Sequence, residues 1–536
     1  MNMLKKGLKN PTIYLLIIVL IIQLISIISV DFRKESFHID EIYSYILSNS
    51  YDTDRIANDP NAWGQWLEGE YFKKFVSVQD NETFAYGKVN RNNSADAHPP
   101  LYYFLLHTIC SILPNTFTKW IGLGINCVFF IGIQILLFIL MKKISKSNLC
   151  GITCVAIYGG MFAALDMLIF IRMYTLLTFF AILLTYLHYQ LYIEQDKKIL
   201  YVLCGVITFL GIYTQYYFAF YACSLAIVMC TIFLKNKKYK KLITYSTLML
   251  LAVIMVFVVY PAAITQITGS ETNNVGKEVA GNIFNFSTLP VSIFNLLLQI
   301  IKGIFLNFYK IMWLLTLCIV LTIIISGLLN KKNVKDVSIK KELLIIIPTI
   351  IALIVVTVSH VSGKFIYLRY VYYIYPLISI FIVLCITYIA KKLELNLKVI
   401  TVGFSCIGLI GTIIFATMNT STYLFREKNH IKEICYDRPL ILMNNGETYH
   451  PTSNFEILLN SSQVYLYDVN KQEDIDEILS HVNIEKGIII IVLTDKYWSN
   501  GYDGDALLEK IVENSSTLTI YEGIGFCEFS NVYIAK

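Results

Sequence analysis

The chain has 536 residues, of which 56% are hydrophobic and 15% are charged, with a formal net charge of +6 and a mean hydropathy of +0.59. This composition excludes an ordinary soluble globular protein and predicts a protein embedded in a lipid bilayer. The lysines stand in short clusters between apolar segments, so the positive charge indicates membrane orientation and no nucleic-acid partner.

Apolar segments of about 18 residues or more recur as far as residue 418, and each is long enough to cross a hydrocarbon core as a helix. The first follows a basic segment, and its length and the lack of a small-residue cleavage site favour a retained span over a signal peptide. The apolar segment 101–113 is too short to cross and predicts a juxtamembrane helix. We therefore predict about eleven transmembrane helices, at residues 11–30, 119–141, 149–168, 174–193, 198–214, 216–234, 242–263, 304–329, 342–360, 368–390 and 398–418.

The lysine clusters test this assignment, because cytoplasmic loops carry the excess of Lys and Arg. If the N-terminus is cytoplasmic, every cluster falls on the cytoplasmic side, including those that begin at Lys142, Lys197, Lys235, Lys331 and Lys391. The sequence thus predicts a multi-pass cell-membrane protein with a cytoplasmic N-terminus and an extracytoplasmic C-terminal domain.

Two domains are predicted from the change in composition near residue 419. Residues 1–418 form a transmembrane module whose first outer loop is 31–100, and residues 419–536 form a small soluble α/β domain. The evidence for the second domain is an alternation of strand and helix patterns. Its candidate strands are 439–443, 463–469, 487–494, 518–522 and 528–535, with amphipathic helices beginning at residues 473 and 505.

Asp40 and Glu41 are adjacent carboxylates about ten residues beyond the first predicted span. They could accept a proton from an attacking hydroxyl group, or bind a divalent cation such as Mg²⁺ or Mn²⁺. The alternative is a solvated helix start, because acidic residues favour the first turn of a helix. On the dipeptide alone, the helix start is favoured.

The first outer loop ends in His98-Pro99-Pro100-Leu101-Tyr102-Tyr103. The two prolines fix an extended entry into the following helix and set His98 at the water boundary, with Tyr102 just beyond it. His98 could bind a metal or a phosphate, whereas the alternative is an interfacial polar group. No cofactor is certain from this pattern, and a divalent cation bound by Asp40, Glu41 and His98 stays an open expectation.

Cationic residues stand at two other predicted outer corners, Arg172 in IRMYTLL, and Lys364 and Arg369 in SGKFIYLRYVYYIYP. A guanidinium at mid-membrane costs about 2.5–3.5 kcal/mol, so these groups are expected at the boundary. They suit a lipid phosphate on which negative charge grows during bond cleavage. The alternative is a set of interfacial anchors that reach water by snorkelling. Aromatic and amide side chains at the corners are further candidates for substrate contact, although tyrosine is common at any membrane interface: Tyr174, Gln215, Tyr216 and Tyr370.

In order, these motifs resemble those of the GT-C glycosyltransferases, specifically the superfamily of protein O-mannosyltransferases and lipid A aminoarabinose transferases, a bacterial glycosyltransferase family 39-like group. The resemblance covers about residues 10–390 and is carried by Asp40-Glu41, HPPLYY, IRMYTLL, YTQYYF and RYVYYIYP. It implies a polytopic α-helical GT-C-like fold and inverting transfer of a hexose or pentose from a polyprenyl-phosphate donor.

The same resemblance implies that Asp40 is the base and that Arg172 and Arg369 lie near the lipid phosphate. Gln215 and Tyr174 stand where many relatives carry a histidine and an acidic residue. The acceptor is left open as a hydroxyl group of a protein, a lipid or a cell-wall glycan on the outer face.

Two other classes of protein would also need cations and aromatic rings at an outer face. A transporter or flippase of lipid-linked sugars should place polar or ionisable groups deep in several spans, and the predicted spans are nearly uncharged. A non-catalytic envelope assembly protein would leave the ordered corner motifs unexplained.

Overall fold

The computed structural model describes residues 11–51, 55–194, 197–268, 289–306, 319, 321–325, 368–418, 421–424, 426–471, 473–493, 503–518, 521–527 and 530–536. The chain divides into two compact units. The first, here called the membrane unit, comprises Met1–Phe32, Ala97–Tyr102 and Leu123–Ser421. The second, the loop-and-tail unit, comprises Arg33–Asp96, Tyr103–Gly122 and Thr422–Lys536.

Apolar helices agree with most of the predicted spans. Seven of the described helices are long and apolar enough to cross a membrane, namely Thr12–Arg33, Lys119–Ser145, Tyr174–Ile193, Phe218–Lys235, Tyr239–Val259, Leu368–Lys392 and Leu397–Thr417. A helix pair bent by 60°, Asn148–Gly160 and Phe162–Ile169, counts as an eighth if it is one span. The predicted span 342–360 lies outside the described residues, and 304–329 lies largely outside them.

Three shorter apolar helices complete the comparison with the predicted spans. Leu101–Ile112 has 12 residues, in keeping with the juxtamembrane assignment. The predicted span 198–214 is a helix of 15 residues, Lys198–Ile212. The segment between the predicted spans 242–263 and 304–329 contains most of a 17-residue helix, Leu289–Phe305, because its apolar residues suffice to form a helix although they are too few for a span.

Small residues allow two helices of the membrane unit to pack closely. A Cβ atom on Gly408 or on Gly160 would overlap the backbone of the facing helix, so Asn148–Gly160 and Leu397–Thr417 touch through their backbones. The Thr412 hydroxyl also donates to the carbonyl of Gly159 at 3.0 Å. Without a hydrophobic driving force in lipid, such close contact and interhelical hydrogen bonding hold helices together.

The loop-and-tail unit is built around a six-stranded mixed sheet with strand order β1-β3-β2-β4-β6-β5. The strands are β1 Trp66–Glu68, β2 Pro439–Asn444, β3 Gln463–Asp468, β4 Ile488–Leu493, β5 Tyr521–Cys527 and β6 Ser530–Ala535. β2 is parallel to β3 and β4, whereas the remaining pairs are antiparallel. β2 and β4 are buried along their whole length, as their continuous apolar sequences require.

The loop-and-tail unit also contains helices from the first loop and from the tail. The α-helices of the first loop are Ile39–Asn49 and Tyr86–Ser94. Those of the tail are Arg426–Cys435, Tyr449–Ser453, Phe455–Asn460, Ile475–Leu479 and Gly504–Asn514. Among its described residues, the tail has four of the predicted strands and both predicted helices, together with three further helices before β3. The strand predicted at 518–522 is instead β5 at Tyr521–Cys527.

The first loop supplies an edge strand to the sheet of the tail. β1 pairs antiparallel with β3, and the Trp66 indole donates to the carbonyl of Ile478 at 2.9 Å. Just after β1, a Cβ atom on Gly69 would lie 2.7 Å from the carbonyl oxygen of Leu458, so only glycine fits there. The sequence-based division assigned the loop 31–100 to the transmembrane module. The structure instead packs most of that loop with the tail, because β1 finds its partner strand about 400 residues later in the sequence.

Candidate functional site

Asp40 and Glu41 occupy different environments although they are adjacent in the first turn of helix Ile39–Asn49. The Glu41 side chain is fully buried and its carboxylate lies 2.8 Å from the Lys34 ammonium, which is equally buried. The same carboxylate accepts the backbone N–H of His38 at 2.7 Å and so completes a capping box. Asp40 keeps 24% of its side chain exposed. Of the two, Asp40 is the carboxylate that a substrate can reach.

Lys34 connects the start of this helix to the tail. Besides its ion pair with Glu41, its ammonium donates to the carbonyl of Tyr423 at 2.6 Å. Next to it, the backbone N–H of Glu35 donates to the carbonyl of Leu424 at 3.1 Å. The position of the Asp40 turn therefore depends on tail residues.

The His38 side chain lies beside the Asp40 carboxylate. Its Nδ1 atom accepts the backbone N–H of Asp40 at 3.1 Å and lies 3.6 Å from the Asp40 Oδ2 atom. The imidazole is a quarter exposed and meets the Tyr423 ring edge to face, with 5.7 Å between centroids. A carboxylate that is a quarter exposed, at a helix start beside an imidazole, is placed to accept a proton from a bound hydroxyl group.

In the membrane unit, Arg172 lies in the short corner that joins the bent helix pair to Tyr174–Ile193. The residue is 5% exposed, and its backbone N–H donates to the carbonyl of Phe170 at 2.8 Å. Phe170 and Tyr174 flank Arg172 in the sequence, and their rings stack on each other with 5.9 Å between centroids. Burial of a guanidinium at such a corner is costly unless acceptors surround it, and anions are its preferred partners.

The corner that carries Arg369 packs against the Arg172 corner. Leu368–Ile374 is a 3₁₀ segment, and its Tyr372 ring meets the Tyr174 ring edge to face at 5.9 Å. The Tyr372 hydroxyl donates to Asp166 Oδ2 at 2.5 Å, and the Ser421 hydroxyl donates to Asp166 Oδ1 at 2.5 Å. Asp166 thereby joins three segments of the membrane unit.

The sequence interpretation gave Asp166 no role. The signal was present, because Asp166 is the only carboxylate in the predicted span 149–168. An ionisable residue in an apolar span is expected to have a partner and a function. Its partners, Tyr372 and Ser421, lie more than 200 residues later, so nothing in the local sequence identifies them.

Arg369 and Tyr370 adjoin a third corner, residues 213–217, which joins helix Lys198–Ile212 to helix Phe218–Lys235. The Arg369 guanidinium lies 5.4 Å from the centroid of the Tyr370 ring, and that ring lies 6.5 Å from the ring of Tyr217. Within the third corner, the Gln215 side-chain oxygen accepts the backbone N–H of Tyr216 at 2.8 Å. The predicted corners of the membrane unit thus meet through aromatic contacts.

The remaining predicted residues vary in their exposure. His98 is half-buried and Tyr102 is fully buried. The neighbouring Leu101 N–H donates to the carbonyl of Tyr213 at 3.2 Å, which joins the HPPLYY motif to the third corner. The Tyr216 hydroxyl donates to Gln266 at 2.5 Å. Lys364 lies outside the described residues.

In the part of the chain that the structure describes, no group of three or more His, Cys, Asp or Glu side chains is arranged to hold a metal ion. Of the three residues considered for a cation, Glu41 is engaged by Lys34. Asp40 and His98 keep partly exposed side chains.

Comparison with known proteins gives one informative result. No protein-family model matches the sequence, and no curated protein matches it. Among solved structures, the chain is similar to ArnT from Cupriavidus metallidurans bound to undecaprenyl phosphate, with a TM-score of 0.51 and 10% identity over 97% of this chain and 97% of that chain. ArnT in the apo state aligns with a TM-score of 0.45 and 10% identity over 92% of this chain and 95% of that chain. The first alignment confirms the predicted polytopic GT-C-like fold.

Proposed function

We propose that the chain is an inverting glycosyltransferase that moves a sugar from a polyprenyl-phosphate donor to a hydroxyl acceptor on the outer face of the membrane. The observation that carries this proposal is the separation of roles between Asp40 and Glu41 in a chain with a GT-C fold. The Glu41 carboxylate is engaged in a buried ion pair with Lys34, whereas the Asp40 carboxylate is partly exposed in the loop-and-tail unit.

The shared fold supports the proposed donor class. The ArnT structure with the same fold holds undecaprenyl phosphate, and we extend that lipid class to the donor of this chain. Two cations at packed corners, Arg172 and Arg369, suit the phosphate of such a lipid, because guanidinium groups bind phosphate oxygens in a bidentate manner.

The reaction that these groups support is a single displacement. The Asp40 carboxylate accepts the proton of the acceptor hydroxyl as its oxygen bonds to the anomeric carbon of the sugar. The bond from that carbon to the phosphate oxygen breaks, and its electron pair leaves with the polyprenyl phosphate. The configuration at the anomeric carbon inverts, because only one displacement occurs. Arg172 and Arg369 stabilise the negative charge that grows on the leaving phosphate.

A divalent cation would add to this charge stabilisation. Asp40 and His98 are the candidate ligands that keep some exposure, whereas Glu41 would first have to leave Lys34. Turnover in EDTA compared with turnover in Mg²⁺ or Mn²⁺ measures this dependence.

Purified protein incubated with a panel of polyprenyl-phosphate sugars tests the proposed function. We expect sugar release or transfer by the wild type and by Glu70→Gln, which removes an exposed carboxylate of the same loop. We expect none from Asp40→Asn, which keeps the size of the side chain and removes its basicity. Wild-type turnover in Asp40→Asn would overturn the base assignment. Movement of donor across the bilayer without sugar transfer would favour a flippase instead.

The phosphate role of the arginines has a separate test. Hydrogen bonds to charged groups contribute about 1.5–3 kcal/mol, so Arg172→Ala and Arg369→Ala should each raise the KM for the donor roughly 10- to 150-fold. Lys197→Ala, which removes an exposed cation paired with Glu194, is the control and should leave the donor KM unchanged. Unchanged donor kinetics in both arginine variants would refute the assignment.

A further inference from the structure

An aromatic face lies one helical turn beyond Asp40 in the loop-and-tail unit. Tyr43 follows Asp40 by three residues on helix Ile39–Asn49, so the two side chains share one side of that helix. The Tyr43 ring meets the Tyr449 ring edge to face, with 6.0 Å between centroids. Tyr449 begins the short tail helix Tyr449–Ser453. Both tyrosines are half-buried and so expose part of their rings.

Polar groups surround these two rings. The Arg55 guanidinium lies 5.6 Å from the Tyr449 ring centroid and donates to the Thr448 hydroxyl at 2.9 Å. Arg55 and Asp96 both lie close enough to act electrostatically on the Tyr43 hydroxyl. All of these side chains are half-buried. We call the set Tyr43, Arg55, Asp96, Thr448 and Tyr449 the acceptor face.

The wall behind the acceptor face contains buried polar atoms. His450 is 1% exposed and Thr452 is 0% exposed, so both side chains place polar atoms in the interior of the loop-and-tail unit. The Thr452 hydroxyl lies beside the Tyr43 hydroxyl, which is also buried. Burial raises the pKa of Tyr43 above its ordinary value, so the phenol stays protonated and remains a donor. The Tyr43 and Thr452 hydroxyl groups therefore add polar groups to the wall behind the two rings, which is a feature of polar ligand sites.

We propose that the acceptor face binds the acceptor substrate and that this acceptor is a carbohydrate. The inference rests on the proposed function, because it places the acceptor beside the base Asp40. Tyrosine rings cover the apolar faces of sugar rings, and a guanidinium with a carboxylate offers both donors and acceptors to adjacent sugar hydroxyl groups. Ligand sites commonly combine aromatic walls with a few polar groups of this kind.

A peptide or lipid acceptor fits this face less well. A common way to bind an extended peptide is to add it as a strand to a sheet edge, whereas the acceptor face is built from helices and turns and not from a sheet edge. A lipid acceptor needs a continuous apolar groove, and this face carries Arg55, Asp96 and Thr448. The tail thereby gains a role in acceptor choice through Thr448 and Tyr449.

Direct binding tests the inference without any donor. Methyl hexosides and short oligosaccharides are added to the purified full chain, and saturation-transfer NMR reports which of them bind. We expect binding by the wild type and by Asp40→Asn, and about tenfold weaker binding by Tyr449→Ala. Tyr436→Ala is the matched control, because Tyr436 is a tail tyrosine that is 68% exposed and lies outside the acceptor face.

Two more variants separate a lost contact from a folding defect. Tyr449→Phe keeps the ring and should restore binding, whereas Arg55→Gln keeps a planar side chain and should weaken it. Absence of saccharide binding to the wild type, or equal binding by wild type, Tyr449→Ala and Arg55→Gln, would overturn the inference.

Kinetics distinguish failure of this inference from failure of the proposed function. With an active donor, Tyr449→Ala should raise the KM for a saccharide acceptor about tenfold, whereas the control Tyr436→Ala should leave both that KM and hydrolysis of the donor by water unchanged. Transfer to a serine-containing peptide that does not depend on Tyr449 would refute the carbohydrate assignment and leave the glycosyltransferase intact. If no donor in the panel is used, the proposed function fails, while the binding experiment still decides whether the face recognises sugars.

Discussion

Replacing Lys34 with methionine should destabilise the loop-and-tail unit strongly. The Lys34 ammonium and the Glu41 carboxylate are 2.8 Å apart and both side chains are completely buried. Methionine keeps much of the volume of lysine but leaves Glu41 as an uncompensated buried charge. Breaking a buried pair by removing one partner costs about 3–5 kcal/mol.

The expected change in melting temperature follows from the size of the unit. The loop-and-tail unit comprises about 200 residues, and in domains of that size 1 kcal/mol shifts the Tm by about 2–4 °C. Lys34→Met should therefore lower the Tm of this unit by roughly 6–20 °C. Differential scanning fluorimetry of the full chain in detergent measures the shift, and hydrogen exchange at the amides of Ile39–Asn49 assigns it to the unit.

An exposed pair in the same loop supplies the control. Lys73 and Glu70 are 2.7 Å apart, with 33% and 67% of their side chains exposed. Surface pairs contribute about 0–1 kcal/mol, so Lys73→Met should lower the Tm by no more than about 4 °C. The double variant Lys34→Met with Glu41→Gln should recover part of the loss, because no charge is then buried. Equal Tm values for Lys34→Met and Lys73→Met would refute the reasoning.

Two further predictions concern the same unit. Gly69→Ala should destabilise the docking of β1 on β3 and increase proteolysis of the first loop, because the new methyl group would overlap the backbone at Leu458 and Ser461. The control Gly87→Ala should leave proteolysis unchanged, because a Cβ atom there has open space. Equal proteolysis of the two variants would contradict this prediction. Burial lowers the pKa of His450 from its ordinary 6.5 to about 3, so the unfolded chain binds a proton there that the folded chain excludes. The stability contributed by the neutral His450 should be fully present above pH 6.5 and should be lost as the pH falls from 6.5 towards 3. His450→Gln should flatten that part of a Tm-versus-pH curve. An unchanged curve would contradict the burial of a neutral imidazole.

The spans could be predicted from the sequence because the bilayer dictates their length and composition. Segments such as 174–193 and 398–418 are within a residue of the observed helices. The strands of the tail were also predictable, since β2 and β4 are buried on both faces and therefore read as continuous apolar sequences. Both kinds of element depend on properties of the local segment alone.

Contacts between distant segments could not be predicted from the same patterns. β1 is a three-residue strand in a polar loop, and only its partner β3 makes it a strand. Tyr43 and Tyr449 are about 400 residues apart in the sequence, and so are Lys34 and Tyr423. Periodicity describes which face of an element is apolar, whereas these contacts depend on which elements meet.

The dipeptide Asp40-Glu41 shows how contacts between distant segments distinguish two adjacent candidate residues. On the dipeptide alone the two carboxylates are equivalent, because catalytic base and helix start each fit both, and only the family resemblance favours Asp40 as the base. In the structure Glu41 is the helix-start residue, because it caps the helix and binds Lys34, whereas Asp40 keeps a partly exposed carboxylate, which is why we propose Asp40 as the base. Lys34 also cancels the charge of Glu41, so the two adjacent carboxylates do not repel each other at one helix turn. We therefore expect the Lys34–Glu41 pair to matter more for the position of Asp40 than for stability. The double variant Lys34→Met with Glu41→Gln should regain part of the stability and still transfer sugar more slowly than the wild type, because its Asp40 turn is no longer fixed to the carbonyl of Tyr423.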